Sequence, residues 1–262
     1  MSYIENTVYG FTYMTSQNIR TKHAFTTRYG GVSSGIFKSM NLGLNTDDDP
    51  LCIVSNYAIV RNALSLPSGR FVCSNQIHGN NIRIAKYEDC AEPPLLGNDD
   101  ADILITNQRD IALVIFTADC VPILLFDPYN EVISAVHSGW RGTALDVVST
   151  AINAMQTEFG CKSDNIKAAI GPSISGCCYE TDTDVVHSIS DNLPVEQNDF
   201  YTKRGDKYMV DLKRAVYIQL TRAGITEISV SDECTFCSSE KYWSHRKTKG
   251  IRGSQAAIIV LS

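Results

Sequence analysis

Short apolar runs at close intervals fill the middle of this chain, and they limit the folds that it can adopt. These strand-like runs occupy residues 71–77, 81–86, 101–106, 111–116, 121–126 and 131–137. Apolar runs of this length, bounded by turn-forming residues, are typical of β-strands, whereas a helix needs about ten or more residues. The spacing therefore predicts a β-rich centre with short connections.

Helices are predicted mainly towards the end of the chain. In residues 142–159 apolar side chains recur every three or four positions and Gly160 follows, which predicts a helix that ends at this glycine. The other predicted helices span 50–64, 183–190 and 211–223, and the other predicted strands span 8–14, 23–28, 166–170, 226–230 and 256–261. This order favours an α/β (α+β) fold, with a mixed β-sheet core flanked by helices, in a single domain over residues 1–262.

The charge and hydropathy of the chain argue against several classes of partner. Its 262 residues carry a formal net charge of -6 and no basic block, so nucleic acid and anionic membranes are unfavourable partners. The apolar runs are far shorter than the ~20 residues that a membrane-spanning helix needs. The first residues lack the pattern of a secretory signal, so we expect a cytoplasmic protein whose nine cysteines are mostly reduced.

Three candidate metal ligands stand where predicted strands end. Cys120 lies between two apolar runs, His137 closes the run over residues 131–137, and His78 follows another β-leaning stretch. Such residues can meet at one edge of a sheet, and a thiol with two imidazoles suits a soft-to-borderline metal ion with one coordination position open. Asp119 and Arg141 add ionisable groups nearby. Spacing alone leaves the alternative open that each of the three ligands has only a structural role.

Two further cysteine pairs are interpreted as structural. Cys234 and Cys237 have the two-residue gap of a zinc knuckle, but no second pair follows at zinc-finger spacing. Cys177 and Cys178 are adjacent, which predicts poor geometry for joint chelation. Dinucleotide-binding and Walker A motifs are absent from the sequence, as is the signature of the cytidine deaminases.

Several longer motifs are similar to those of one protein family. The most specific are Thr117-Ala-Asp-Cys-Val-Pro122 and Ala135-Val-His-Ser-Gly-Trp-Arg-Gly142. Others are Phe25-Thr-Thr-Arg28 with Gly30-Gly-Val-Ser33, Asn41-Leu-Gly43, Gln76-Ile-His-Gly79, Ala101-Asp102, Gly171-Pro172, Cys178-Tyr-Glu180, Asp211-Leu212 and Cys234-Thr235. On these residues the chain resembles the YfiH/laccase-domain family of zinc-dependent purine nucleoside phosphorylases, formerly described as polyphenol oxidases.

The resemblance implies a function and a fold. It implies that His78, Cys120 and His137 bind one zinc ion beside a purine nucleoside, with copper as the alternative ion. It also implies a cytoplasmic enzyme for the phosphorolysis of adenosine, inosine and S-methyl-5'-thioadenosine, with some adenosine deamination. The implied fold is similar to the catalytic domain of the cytotoxic necrotizing toxins, whose active site is a Cys-His pair.

Further residues are candidates for substrate contacts. Arg28, in a glycine-rich loop, and Arg141 are candidates for binding phosphate. The alternative for Arg28 is a solvated loop residue with no ligand. The alternative for Arg141 is stacking on Trp140 or pairing with Asp127. Asn41 is a candidate for contacts with the ribose hydroxyls, and the alternative is that it only forms a turn. Gln76 is a further substrate-binding candidate. Asp119 is expected to shuttle a proton or to orient a histidine ligand.

Several alternatives stay open from the sequence. The family usually has Gly-Arg-Gln near the C-terminus, whereas this chain has Arg252-Gly-Ser-Gln255, so the role of Arg252 is open. Alternative functions are a copper-dependent polyphenol oxidase, a cysteine hydrolase that uses Cys120 with His137, and a non-enzymatic binding module. Monomer and homodimer are both open.

Overall fold

A computed structural model describes residues 2–93, 99–193 and 199–262. The described strands are β1 (Tyr3–Val8), β2 (Phe11–Ser16), β3 (Lys22–Thr26), β4 (Phe71–Val72), β5 (Ile82–Ile84), β6 (Ile103–Thr106), β7 (Ala112–Thr117), β8 (Val121–Asp127), β9 (Val132–Ser138), β10 (Lys167–Ile170), β11 (Glu180–Thr181), β12 (Tyr201–Arg204), β13 (Lys207–Val210), β14 (Glu227–Val230) and β15 (Gln255–Val260). The described α-helices are α1 (Pro50–Ala63), α2 (Trp140–Ala144), α3 (Val147–Phe159), α4 (Thr183–Ser190), α5 (Leu212–Arg222) and α6 (His245–Thr248).

Two six-stranded mixed sheets form the centre of the molecule. The strand order of the first sheet is β1-β2-β3-β15-β7-β4, and that of the second is β14-β10-β8-β9-β6-β5. Neighbouring strands are antiparallel except for the pairs β4–β7, β5–β6 and β10–β14, which are parallel. A small sheet of order β11-β13-β12 completes the described strands. The predicted α/β (α+β) class with a mixed sheet core is confirmed.

The two large sheets pack face to face, and helices cover their outer faces. Leu124 of β8 and Ile115 of β7 belong to one buried cluster that both sheets share. The neighbouring residue Ile123 points the other way, into a second cluster with α3 and α5, because side chains alternate along a strand. On the opposite side, α1 packs against the first sheet. Since β8 is buried on both faces, it reads as a continuous apolar run.

Several predicted elements are confirmed and others are wrong. The predicted helix 50–64 is α1, and the Asp49 side chain accepts a hydrogen bond from Leu51 N at its start. The predicted strand 8–14 is confirmed only from residue 11 onwards, where it forms part of β2, because Tyr9 and Gly10 adopt positive φ and turn the chain between β1 and β2.

The long predicted helix over residues 142–159 is in fact two helices. Asp146 adopts φ +51°, which ends α2 and begins α3, and Gly160 closes α3 in the left-handed conformation as predicted. The hairpin of β12 and β13 was not predicted, since its residues are largely polar and lack an apolar period. Within the described ranges, none of the helices has both the length and the apolar character needed to cross a bilayer.

Candidate metal centre

Two connections that cross between the large sheets supply the candidate metal ligands. Cys120 lies in the three-residue link from β7 in the first sheet to β8 in the second, and His78 lies in the link from β4 to β5. His137 lies on β9, where it is paired with Pro122 of β8. The ligand atoms of the three residues lie within 4.8 Å of one another, and Cys120 Sγ is 3.9 Å from His78 Nε2. The predicted convergence of these side chains is confirmed.

Asp102 holds both histidines in place. This buried residue directly precedes β6, and its carboxylate accepts hydrogen bonds from the backbone N–H groups of Ile77, His78 and Gly79 at 3.2, 3.1 and 2.7 Å. The three bonds fix the backbone of His78, which has φ +61°, a conformation that non-glycine residues seldom adopt. Asp102 Oδ1 also lies 2.7 Å from His137 Nδ1, so a single carboxylate positions two ligands.

The hydrogen bond to Asp102 also determines how His137 can act. With Nδ1 donating to the carboxylate, Nε2 is the ring nitrogen left for a metal ion, an arrangement common among metal-binding histidines. Burial by itself would raise the pKa of Asp102, but the hydrogen bonds from His137 and the backbone outweigh it and hold that pKa below its ordinary value. The carboxylate is therefore ionised at neutral pH.

Cys120 and His137 influence each other's ionisation strongly. Burial would raise the pKa of the Cys120 thiol, but the charge of His137 and hydrogen bonds from both histidines lower it well below its ordinary value. Burial would likewise lower the pKa of His137, but the Cys120 thiolate and Asp102 raise it above its ordinary value. Without a metal ion, the pair is therefore a thiolate and an imidazolium at neutral pH.

The donor set fits a single zinc or copper ion. One thiolate and two imidazole nitrogens are soft-to-borderline ligands, and three protein ligands leave a fourth position open in a tetrahedral site. Gly139 makes room for this arrangement, because a Cβ atom there would lie 2.8 Å from His78 Cδ2 and 3.2 Å from Cys120 Sγ. A larger residue than glycine would fill the space between the ligands.

A cleft of about 500 Å³ opens onto the three ligands. Its lining comes from both sheets and from four connecting segments, and it includes residues 43–46, Gln76, Thr117, Arg252 and Ser254. This volume lies in the range of pockets for small molecules, about 300–1,000 Å³. The cleft is therefore large enough to hold a small molecule beside the three candidate ligands.

Comparisons with known proteins assign the chain to a family. The family model described as multi-copper polyphenol oxidoreductase laccase matches residues 22–262. This chain belongs to that laccase-domain family. Purine nucleoside phosphorylase YlmD of Geobacillus stearothermophilus is 35% identical over 240 residues, which cover 89% of this chain and 88% of the relative. Purine nucleoside phosphorylase YlmD of Bacillus subtilis is 31% identical over 253 residues, which cover 94% and 90%.

Solved structures agree with this family assignment. The crystal structure of YlmD from Geobacillus stearothermophilus matches with a TM-score of 0.93 and 32% identity, covering 98% of this chain and 97% of that one. The hypothetical protein YfiH of Bacillus licheniformis matches with a TM-score of 0.91 and 30% identity, covering 97% of each chain. The resemblance inferred from the motifs is confirmed.

In this laccase-domain chain, Asp119 contacts the C-terminal segment and not a metal-binding histidine. Its Oδ1 accepts a hydrogen bond of 2.7 Å from Thr235 Oγ1, and its Oδ2 accepts one of 2.7 Å from the backbone N–H of Arg246. Asp119 therefore fixes the loop next to Cys120, while Asp102 takes the histidine-orienting position. The role of Asp119 as a proton shuttle stays a prediction.

Arg28 lies apart from the ligands. Its guanidinium donates hydrogen bonds to the carbonyl oxygens of Lys38 and Ser239 and stacks over Trp243 at 3.9 Å. These contacts tie the glycine-rich loop to the C-terminal region. Arg28 is not among the described residues that line the cleft, and its binding of phosphate stays a prediction.

Asn41 and Gln76 both hold backbone segments around the cleft. Buried Asn41 accepts hydrogen bonds from Gly43 N and Ser254 N, which joins two of the lining segments. The Gln76 amide exchanges two hydrogen bonds with the backbone of Phe116, in the manner of an added strand residue. Both residues shape the cleft wall, and their contacts with ribose or other substrate groups stay predictions.

Two arginines remain near the ligands. Arg141 is exposed and stacks over Trp140 at 4.4 Å, which is the alternative considered from the sequence. Arg252 lines the cleft, and its Nη1 donates to Gly253 O and Ser254 Oγ. Its buried Nε has no hydrogen-bond partner among the described residues. The shifted arginine of the C-terminal motif therefore reaches the cleft.

The sequence left two important residues unassigned. Asp102 and Gly139 occur in the family-like motifs, but neither carries a local signal of its role. Asp102 is 35 residues from His137 along the chain, and the hydrogen bond between them forms only when β6 pairs with β9. The available signal in the sequence is a carboxylate directly before an apolar strand.

Proposed function

We propose that this chain is a zinc-dependent purine nucleoside phosphorylase. Its substrates are adenosine, inosine and S-methyl-5'-thioadenosine together with phosphate, and its products are the purine base and a sugar 1-phosphate. Deamination of adenosine is a side activity, and the enzyme acts in the cytoplasm. The names of the relatives support the reaction class.

The observation that carries this proposal is the position of the ligand trio in the cleft. His78, Cys120 and His137 all line a space of about 500 Å³ that also holds a cationic side chain, Arg252. A nucleoside needs a pocket of this size, and the attacking phosphate dianion needs a nearby positive charge. When bound, Zn²⁺ supplies a Lewis acid that polarises a purine atom and so helps the base to leave.

Arg252 is the residue that we assign to phosphate. The contacts with Gly253 and Ser254 hold one edge of its guanidinium, and the Nε edge has a donor to spare. Burial lowers the pKa of Arg252, while the negative charges of Cys120 and Asp119 act in the opposite direction, which indicates how near the arginine lies to the ligands. A charged donor in this position can orient phosphate for attack on the sugar.

A cysteine hydrolase is the second candidate, because Cys120, His137 and Asp102 also form a nucleophile, base and orienting group. The lowered pKa of the thiol and the raised pKa of the imidazole are those of a catalytic cysteine pair. A bound zinc ion would occupy the thiolate and remove its nucleophilic role. Zinc occupancy therefore separates the two functions.

The test measures reaction and metal content on the same purified protein. Incubation with phosphate and each nucleoside should release purine base and sugar 1-phosphate in equal amounts, with about one zinc ion bound at this centre. Chromatography follows the base, and mass spectrometry of the metal follows the zinc. Cys120→Ala should lose both the ion and turnover, whereas Cys90→Ala, which changes a cysteine outside the cleft lining, should keep both.

Two outcomes would contradict the proposal. Full nucleoside turnover by Cys120→Ala protein that has lost the ion of this centre would show that the trio is unnecessary. Zinc-loaded protein that releases no base from any of the three nucleosides would show that the centre serves another reaction. Inosine formed from adenosine in phosphate-free buffer measures the deaminase activity separately.

A further inference from the structure

Four cysteines outside the cleft lining lie close together. Cys177 and Cys178 lie in the loop after β10, and Cys234 and Cys237 lie in the segment after β14. Because β10 and β14 are parallel neighbours, the segments that follow them leave the second sheet at the same end of the strands. The four Sγ atoms lie within 4.8 Å of one another.

The distances between the sulfurs fit a tetrahedral ion better than a disulfide. Cys178 Sγ lies 3.3 Å from Cys237 Sγ and 3.5 Å from Cys177 Sγ, and Cys177 Sγ lies 3.7 Å from Cys237 Sγ. Four sulfurs at about 2.3 Å from a central zinc ion are roughly 3.8 Å apart, whereas bonded sulfurs are about 2.05 Å apart. All nine cysteines of the chain are free thiols in the structure.

The surroundings of the cluster suit thiolates bound to a cation. The backbone N–H of Ser175 donates to Cys234 Sγ at 3.4 Å, a contact that favours the ionised sulfur.

A buried lysine faces the cluster from α5. Lys213 is 5% exposed, and its Nζ donates to the carbonyl oxygens of Ser231 and Glu233 at 2.8 and 2.9 Å. Burial lowers the pKa of Lys213, and the negative charges of Asp211, Cys234 and Cys177 act in the opposite direction. A divalent ion with four thiolates has a net charge of about -2, which this lysine partly offsets.

We propose that Cys177, Cys178, Cys234 and Cys237 bind a structural Zn²⁺ that joins the two loops behind the candidate metal centre. Four protein ligands leave no open position, which distinguishes this site from the trio that contains Cys120. Binding displaces the remaining thiol protons to solvent and involves no change of oxidation state. The ligand class, tetrahedral tetrathiolate, selects zinc over harder divalent ions.

Hydrogen bonds connect the segments that would hold the proposed ion to the segment that carries Cys120. Thr235, next to Cys234, donates to Asp119 Oδ1 at 2.7 Å, and Ile174 N donates to Asp119 O at 3.0 Å. Asp119 immediately precedes Cys120 in the chain. The ion would therefore stabilise the loop that presents Cys120, while taking no part in the reaction itself.

The structure corrects the interpretation of these cysteines from the sequence. The adjacency of Cys177 and Cys178 predicted poor geometry for joint chelation. Their sulfurs nevertheless lie 3.5 Å apart, and both are close to the sulfur of Cys237. From the sequence, a second cysteine pair was expected at zinc-finger spacing. It comes instead from a segment about 60 residues away, which parallel strand pairing brings alongside.

Metal stoichiometry in matched variants tests the proposal. Wild-type protein expressed with zinc should hold about two zinc ions per chain, and Cys237→Ser and Cys120→Ala should each hold about one. The double variant should hold none, and Cys52→Ser, which changes a free cysteine on α1, should match the wild type. Equal zinc content in Cys237→Ser and wild type would overturn the proposal.

Measurements on unaltered protein guard against misfolding of the Cys237→Ser variant. Exposed Cys177 and Cys237 should resist a thiol reagent in zinc-loaded protein and react at least tenfold faster after chelation. Cobalt substitution should give the absorption bands of a tetrahedral tetrathiolate ion. A thiol count two short of nine in denatured protein would reveal a disulfide, and an iron chromophore would reveal another metal; either result overturns the assignment.

This test is independent of the proposed function. Cys237→Ser keeps the His78, Cys120 and His137 trio, so its loss of one zinc ion reports only on the four-cysteine site. Should Cys120→Ala lose no zinc while Cys237→Ser does, the phosphorylase proposal fails and the structural site stands.

Discussion

Asp102 connects the backbone around His78 to the ring of His137 through one buried carboxylate. The hydrogen bonds to Ile77, Gly79 and His137 mean that a change at this residue disturbs both sides of the ligand trio. Groups that orient metal ligands contribute to metal affinity although they never touch the ion.

Asp102→Asn is expected to weaken zinc binding by about 10- to 100-fold. The amide keeps a carbonyl oxygen for the backbone N–H groups, but it removes the negative charge that raises the pKa of His137 and fixes its tautomer. Competition with a zinc-binding dye measures the affinity. Asp110→Asn, at an exposed aspartate outside the cleft, should bind zinc as the wild type does, and an equally unchanged affinity in Asp102→Asn would contradict the assigned role.

The thiolate of Cys120 predicts an unusual pH dependence of alkylation in metal-free protein. Since the pKa of Cys120 is lowered, the thiolate should persist at neutral pH, and alkylation should slow only as the pH falls through about 6. Cys90 serves as an internal control, because burial raises its pKa and its alkylation should need alkaline pH. Mass spectrometry of the two peptides after brief exposure to iodoacetamide gives both profiles.

Two further results would test the cause of this pH dependence. His137→Ala should move the midpoint for Cys120 upwards, because the imidazolium that stabilises the thiolate is gone. Zinc should protect Cys120 at every pH in the wild type. If Cys120 and Cys90 titrated together, the thiolate–imidazolium pair would not exist.

At the scale of elements, the centre depends on how closely the two sheets approach. Gly171 follows β10 in the second sheet and donates to Pro122 O at 2.9 Å, and the ring of Phe25 from the first sheet packs against its α-carbon. A Cβ atom on Gly171 would overlap that ring and lie 2.9 Å from Pro122 Cγ. The contact therefore requires glycine for lack of space.

Gly171→Ala is expected to lower the free energy of unfolding by about 1–3 kcal/mol, because the Phe25 ring must move out of a packed core. Urea denaturation followed by circular dichroism measures the change. Gly142→Ala is the matched control: its Cβ would lie 3.4 Å from the carbonyl oxygen of Gly79, an ordinary contact, and within α2 alanine favours the helix by up to about 1 kcal/mol. A Gly171→Ala protein as stable as the control would mean that the sheets adjust freely.

At the scale of the whole molecule, the shared cluster joins the two sheets into one core. Leu124 of β8 is fully buried in that cluster beside residues of β7 and β15. Removing part of its side chain should therefore weaken both sheets together. The single domain predicted from the sequence depends on this coupling.

Leu124→Ala is expected to cost about 2–5 kcal/mol and to leave one cooperative unfolding transition. Tryptophan fluorescence and far-ultraviolet circular dichroism should give coincident curves, shifted together to lower urea concentration. Leu51→Ala, which truncates a side chain 74% exposed on α1, should change little. Two separate transitions would indicate two domains and contradict the prediction.

Many of the local elements and the candidate metal ligands could be predicted from the sequence. Apolar period and capping residues are local properties, so α1, the central strands and the end of α3 at Gly160 were readable from them. Cys120, His78 and His137 were candidates because each stands where a predicted strand ends, and the resemblance to the family implied that they share one ion. The turn at Tyr9 and Gly10 and the break at Asp146 were missed, since positive φ at non-glycine residues leaves little trace in composition.

Only the tertiary structure decided which distant residues meet. Asp102 reaches His137, and Cys177 reaches Cys237, through strand pairing that brings together segments 35 and 60 positions apart. Arg28 and Arg141 looked alike as cationic candidates, and both stack on an indole ring, but the guanidinium of Arg28 also donates hydrogen bonds to the carbonyl oxygens of two distant segments. These partners depend on packing between sheets, and packing is a property of the whole chain that no local pattern encodes.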